Sequence, residues 1–205
     1  MNRLAILGAS GHGKVVADIA ERCGWEELAF FDDAWPARSI NGVWPVIGNT
    51  RSMLARLHEF DGVIVGIGNN KVRHEKMQML MEAGARFISL VHPHAIVSRH
   101  AVVGAGSVVM AGAVINVSTV VGRGAILNTA SSVDHDCSLG DFVHVSPGAN
   151  LAGGVEVGQH SWIGIGASVR ELVKIGAGVV VGAGAAVVRD VADGITVVGV
   201  PARPL

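Results

Sequence analysis

From Ala95 to Asp190 an aliphatic side chain returns at every sixth position. Cut into hexads without an insertion, this stretch has Val, Ile or Leu in the third place of all sixteen, from Val97 through Val133 and Val145 to Val187. The first place is always small or β-branched, and a Gly or polar residue marks the corner between hexads. Helical spacing of 3.6 is absent. Short β-favouring runs with a turn every six residues predict a solenoid, in which each repeat buries its apolar face only by stacking on its neighbours.

Residues 1–92 follow another pattern. Leu4–Leu7 reads as a buried strand, GASGHGK (Gly8 to Lys14) as a turn, and Val15–Cys23 as a helix. Leu28–Phe31 gives a second strand ending in Asp32-Asp33. Val43–Ile47, Gly62–Ile67 and Arg86–Val91 supply further strands, with helices over Thr50–His58 and Asn70–Ala83. Strands alternating with helices predict a parallel α/β sheet of Rossmann-like type. His92-Pro93-His94 marks the boundary, because the residue before proline is pushed out of helix. The expected division is 1–92 and 93–205.

Composition narrows the function classes. Of 205 residues, 50% are hydrophobic and only 16% charged, an apolar balance that points to buried faces between subunits. A net charge of −1 gives no basic field for nucleic acid or an anionic membrane. Two cysteines, Cys23 and Cys137, make no disulfide framework, which fits a reducing cytoplasm, and MNRLAILGAS lacks a signal-peptide layout. Ala101–Gly122 carries no charge over 22 positions, long enough to span a bilayer. Its period of six, with Gly, Ser and Asn in the gaps, assigns it to the solenoid instead.

Gly8, Gly11 and Gly13 form GxxGxG between a strand and a helix, where backbone N–H groups and a helix N-terminus favour phosphate. The dinucleotide fingerprint is GxGxxG, so this loop departs from it, and a nicotinamide oxidoreductase is disfavoured. Asp32-Asp33 and Gly68-Asn69-Asn70 end two other strands and are placed to meet the loop at the carboxyl edge of the sheet, which favours a nucleotide-bearing ligand.

The hexads resemble those of the hexapeptide-repeat acyltransferases. That resemblance implies a left-handed parallel β-helix of 18 residues per coil, and trimers. GASGHGK, FFDD, VGIGNN, ILNTASSVDHDC, FVHVSPGANLAGG and the terminal GVPA resemble the N-acetyltransferases of UDP-linked 4-amino-4,6-dideoxy sugars, as in bacillosamine biosynthesis for protein glycosylation. The resemblance runs from Leu4 to the C-terminus. It implies acetyl-CoA as co-substrate, no metal, a UDP-amino sugar held by Ser10, Gly11, His12, Asp32, Asp33 and Gly68, and an acetyl-CoA groove formed by His144, Gly153, Ile165 and Ala183. At the place of Ala183 the family often has Gly, which a backbone contact would survive.

Acetyl transfer from a thioester to an amine needs a base, an oxyanion donor and two aligned substrates. Histidine suits the first task, because its ordinary pKa of about 6.5 lies near working pH. His135 and Asp136 fall in the fifth and sixth places of SSVDHD, at a corner of the coil. The resemblance makes His135 the general base and Asp136 the acid that holds its ring. Asp134 is expected to be a solvent-facing or corner residue outside the machinery, and Asn128 an orienting or structural one. His144 lies nine residues on, half a coil round, so the two histidines are expected to meet only across a subunit boundary.

Three alternatives stay open at this point. Sialic acid O-acetyltransferases and GDP-perosamine N-acetyltransferases share the two-part build, and the acceptor is not displayed in the sequence. A γ-type carbonic anhydrase uses the same β-helix with zinc, but His100, His135, His144 and His160 show no spacing of 18 or 36. A non-catalytic scaffold is the blandest option.

Overall fold

The computed structural model describes residues 2–205, which divide into two compact units meeting at His92 and Pro93. The first is a five-stranded sheet of β1 (Arg3–Leu7), β2 (Glu27–Phe31), β3 (Ile40–Asn41), β4 (Trp44–Gly48) and β5 (Gly62–Val65), in the order β3-β4-β2-β1-β5. The β1–β2, β1–β5 and β2–β4 pairs are parallel, and only β3–β4 is antiparallel. Helices α1 (Gly11–Arg22), α2 (Thr50–Ala55) and α3 (Asn70–Glu82) join them. Leu4, Ala5, Ile6 and Leu7 are almost fully buried, as a central parallel strand covered on both faces must be. The chain leaves β1 for β2 on one side and β5 on the other, the arrangement that opens a crevice at the carboxyl ends.

Several boundaries differ from the pattern-based expectation. α1 starts at Gly11, so half of GASGHGK is its first turn. The apolar stretch after Asn41 begins one residue late, at Trp44, because Gly42-Val43 is the turn of a hairpin that pairs Asn41 with Trp44. The helix from Thr50 stops at Ala55, where Arg56 takes a non-helical conformation, and resumes as a short 3₁₀ turn over Leu57–Glu59. Only Leu90–Val91 of the expected strand Arg86–Val91 is regular. Phe87 forms a single parallel bridge with Val63.

The second unit is a left-handed parallel β-helix with three flat sides. Each hexad contributes one two-residue strand at its second and third places, for example Ile96–Val97, Val102–Val103 and Val108–Val109. Strands 18 residues apart pair in parallel, as Val114–Ile115 does with Ser132–Val133 and Ile126–Leu127 with His144–Val145. Third-place residues stack into one core running from Val109 through Val133 and Leu151 to Val187. Ala101–Gly122 contributes four of these strands, and among the described residues no helix is long and apolar enough to cross a membrane. The end is covered by Thr196–Val198, which pairs in parallel with Val180–Val181 and antiparallel with Arg203–Pro204.

Corners repeat as regularly as strands. The sixth hexad place has a positive φ at fourteen of its sixteen occurrences. Eight of those are Gly, which adopts this region without a Cβ penalty. Asp136, with φ +59°, is one of the exceptions.

Candidate active site

The loop cluster of the first unit forms at the ends of β1, β2 and β5. Its glycines divide the work. A Cβ on Gly13 would strike the Gly8 carbonyl oxygen, one on Gly8 would lie 2.5 Å from Ile67, and one on Gly66 would lie 2.9 Å from the Gly13 Cα. These three let α1 pack directly on the strand ends. Gly11 faces open space, and Ser10 at the N-cap does not cap with its side chain, so the first N–H groups of α1 stay available to an anion.

Asp32 accepts the Ala9 N–H at 2.7 Å and its own loop's Ala34 N–H at 2.9 Å, fastening the β1 turn to the end of β2. Arg38 completes that link by donating to the Ala9 carbonyl at 2.8 Å. Asp33 points elsewhere: it accepts Thr50 N–H at 2.9 Å and Lys76 Nζ at 2.7 Å. Burial pushes this carboxyl up, but the bonds from Lys76 and Thr50 and the lysine charge outweigh it and hold the pKa at about 2. Gly68 sits over His12, where an added Cβ would be 4.0 Å from the His12 Cβ. The His12 Nε2 is buried with no hydrogen-bond partner. Burial, and then the Arg73 charge, pull its pKa down to about 4, so the ring is neutral at pH 7.

Arg73 escaped the sequence reading, since a cation in a helix ordinarily reads as a solvated face. It is 1% exposed, donates to the carbonyls of Ile67 at 3.1 Å and Gly68 at 2.9 Å, and bonds Asn70 at 2.8 Å. A buried guanidinium thus shapes the β5 loop from behind.

In the β-helix, His135 stands at the corner after Ser132–Val133. Its Nδ1 lies 2.7 Å from Asp136 Oδ2, and the His135 side chain is 56% exposed. With Nδ1–H donating to the carboxylate, Nε2 keeps its lone pair for a proton. The Asp136 hydrogen bond, then the Asp134 charge, raise the His135 pKa. Cys137 is buried packing, as its place in the hexad implies, with its thiol pushed up chiefly by burial. Asp134 lies at the corner, where its Oδ1 accepts the His135 N–H at 2.8 Å and the Asn116 amide at 2.8 Å.

Gly153 stacks on the same corner one coil later. A Cβ there would lie 2.6 Å from His135 Cε1 and 2.7 Å from Nε2. Expected in one groove with His144, Ile165 and Ala183, it instead backs the His135 ring. The other three do gather, in an open groove of about 390 Å³ that Asn128, Ser146, Pro147, Trp162 and Val180 also line. The Asn128 amide nitrogen lies 3.1 Å from His144 Nε2, tying the ring to the Asn128 corner. The His144 ring packs on Trp162 with centroids 4.1 Å apart. Ser146 Oγ, buried and without a partner, was missed in the sequence because serine at a coil corner is ordinary turn chemistry. The groove therefore has an apolar wall of Ile165, Val180 and Trp162 and one polar edge, the chemistry an extended amide-bearing thioester arm needs.

Comparison with known proteins bears on this arrangement. The PglD N-terminal domain family matches residues 3–80. Over its whole length the chain is 32% identical to a GDP-perosamine N-acetyltransferase of Escherichia coli O157:H7, covering 97% of that protein. It is 39% identical over 109 residues, about half of each chain, to a UDP-N-acetylbacillosamine N-acetyltransferase of Bacillus subtilis. The acetyltransferase domain of PglB from Neisseria gonorrhoeae, solved with acetyl coenzyme A, superimposes with a TM-score of 0.96 at 44% identity and full coverage of both chains. With an α/β unit that matches the PglD N-terminal domain and a full length that matches a nucleotide-sugar N-acetyltransferase, the chain belongs to the hexapeptide-repeat acetyltransferases that move an acetyl group from acetyl-CoA to nucleotide-linked amino sugars.

Proposed function

We propose that this protein acetylates the 4-amino group of a UDP-linked 4-amino-4,6-dideoxy sugar, with His135 as the general base. The observation that carries the mechanism is the 2.7 Å His135–Asp136 contact on an exposed corner, which leaves Nε2 as the basic nitrogen. Acetyl-CoA supplies an activated thioester. His135 takes a proton from the amine as its nitrogen attacks the thioester carbon. The C–N bond forms, the C–S bond breaks, and the proton passes from His135 to the departing thiolate. Neither Cys23 nor Cys137 is placed to carry the acetyl group: the Cys137 thiol is buried and its pKa raised.

In this reading Ser10, Gly11, His12, Asp32, Asp33 and Gly68 form the nucleotide-sugar end. Gly11 and His12 offer backbone N–H groups to phosphate, and Asp32 and Asp33 act chiefly by fixing the loops. Asn128, His144, Ile165 and Ala183 hold the thioester arm, and Gly153 offers backbone beside the base. His135 and the His144 groove lie on different sides of one β-helix, so a complete site requires a neighbouring copy, and we assign a homotrimer. Exposed Val102 and Val120, paired neighbours on one side, support such a contact. Two free thiols suit a cytoplasmic location.

The full-length similarity to a GDP-perosamine N-acetyltransferase favours a second reading, in which the nucleotide is GDP. Initial rates with acetyl-CoA and matched UDP- and GDP-linked 4-amino-4,6-dideoxy sugars decide between them. A higher kcat/KM for the UDP sugar supports the proposal, and a higher value for the GDP sugar replaces it. Acetylation only of a sugar hydroxyl, as in a sialic acid acceptor, would overturn both.

A further inference from the structure

We propose that Asp134, clamped by Asn116, is a positioning residue that fixes the His135 corner for proton transfer and supplies part of the negative field around its ring. This rests on the reading of His135 as the base.

Asp134 precedes the corner on the same strand edge, and one of its oxygens serves two donors. Oδ1 accepts the His135 backbone N–H at 2.8 Å, which fixes the peptide carrying the imidazole. It also accepts the Asn116 amide at 2.8 Å, from a residue stacked one coil below. The Asp134 carbonyl is bound in turn by Thr119 Oγ1 at 2.6 Å, and Thr119 Oγ1 accepts the Cys137 N–H at 3.3 Å. The corner is therefore tied down immediately before and after the His135-Asp136 pair. Both of its backbone bonds between coils, Asp136 N–H to the Val117 carbonyl at 3.1 Å and Gly154 N–H to the His135 carbonyl at 2.9 Å, complete the frame.

Geometry explains why a carboxylate belongs here. Asp136 can hold Nδ1 only if the corner keeps its left-handed turn, and Asp136 lacks the freedom of glycine. A fixed acceptor on the preceding residue holds that turn against slackening. The same carboxylate places a second negative charge near the ring, in line with the upward pull on the His135 pKa. The hydrogen bonds from His135 and Asn116 in turn lower the Asp134 pKa, so it is charged wherever the base works. Other charged groups on this edge are remote. Arg99 and His100 lie two coils before and Arg170 and Glu171 two coils after, about 10 Å away at the strand spacing. The adjacent coils bring Val117 and Gly153 to the ring, neither of them titratable.

The test compares Asp134→Asn with Asp134→Ala, reading kcat and KM for both substrates across pH 5.5–9. Asparagine can still accept both hydrogen bonds but carries no charge. It should move the acid limb of the kcat profile to lower pH by about half a unit, the effect of one nearby charge in a watery site, and lower the plateau a few-fold. Alanine also releases the corner and should lower the plateau by about tenfold, with KM values held within about twofold. Asn116→Ala should fall between them. Thermal melts accompany each variant, and the asparagine form keeps the test intact if alanine does not fold. Profiles for both Asp134 variants that superimpose on the wild type, while His135→Ala is inactive, overturn this inference alone. An active His135→Ala overturns the base assignment beneath it.

Discussion

A methyl group placed on Gly153 should disable the site without loosening the fold. The nearest atoms to a Cβ there are all in the His135 ring: Cε1 at 2.6 Å, Nε2 at 2.7 Å and Nδ1 at 3.2 Å. Carbon atoms settle at about 3.5–4 Å, so the ring must retreat by about 1 Å. It can do so, since the side chain is more than half exposed. The retreat breaks the 2.7 Å contact with Asp136 and misplaces Nε2 by a distance that typically costs about 100-fold in rate. Gly153 is not in the left-handed region, so alanine adds no backbone strain. The expected result for Gly153→Ala is thus kcat down about 100-fold with a thermal midpoint within about 2 °C of wild type. Gly178→Ala is the control of opposite sign. Its φ of +64° penalises any side chain but its surroundings are open, so it should lose about 1 kcal/mol of stability and no activity. A Gly153→Ala enzyme with wild-type kcat would refute the packing argument.

Other outcomes follow from the same geometry. Asp136→Asn weakens the hydrogen bond that most raises the His135 pKa, so the acid limb of kcat should shift to lower pH and the plateau fall, measured by steady-state rates over pH. Asp136→Gly relieves the positive φ and deletes the ring's partner, so melts should show equal or slightly higher stability, by about 0–1 kcal/mol, while the rate collapses. His12 binds its proton less readily folded than unfolded, so its contribution is complete above pH 6.5 and is lost as pH falls towards 4. Denaturant titrations should therefore lose up to about 3 kcal/mol across that window, and His12→Gln should flatten the slope.

The β-helix was legible because its rule is local and repeated. A third-place aliphatic residue every six positions fixes strand, corner and coil together, and the 18-residue register follows once three sides are assumed. That same register pairs Asn116 with Asp134, so the clamp on the corner was within reach of arithmetic. Alternation along one strand leaves Asp134 at the corner, and only the coil below supplies its Asn116 partner. The glycine loop was harder. Gly8, Gly11 and Gly13 are identical in sequence, and only the approach of Gly66 and Ile67 separates packing glycines from the open one. Arg73 was invisible for a related reason: its burial depends on loop carbonyls five and six residues earlier turning back onto α3. The hairpin turn at Gly42-Val43 was obscured because Val43 reads as the start of the apolar run after it. Handedness of the β-helix came only through resemblance, since general crossover preference points the other way.

The most direct measurement is the acetyl-transfer rate of His135→Ala against wild type, with acetyl-CoA and a UDP-linked 4-amino sugar at saturation. Loss of a positioned general base predicts a fall in kcat of about 100- to 10,000-fold, with unchanged thermal midpoint and unchanged binding of both substrates. A variant that keeps its rate to within about threefold would contradict the account.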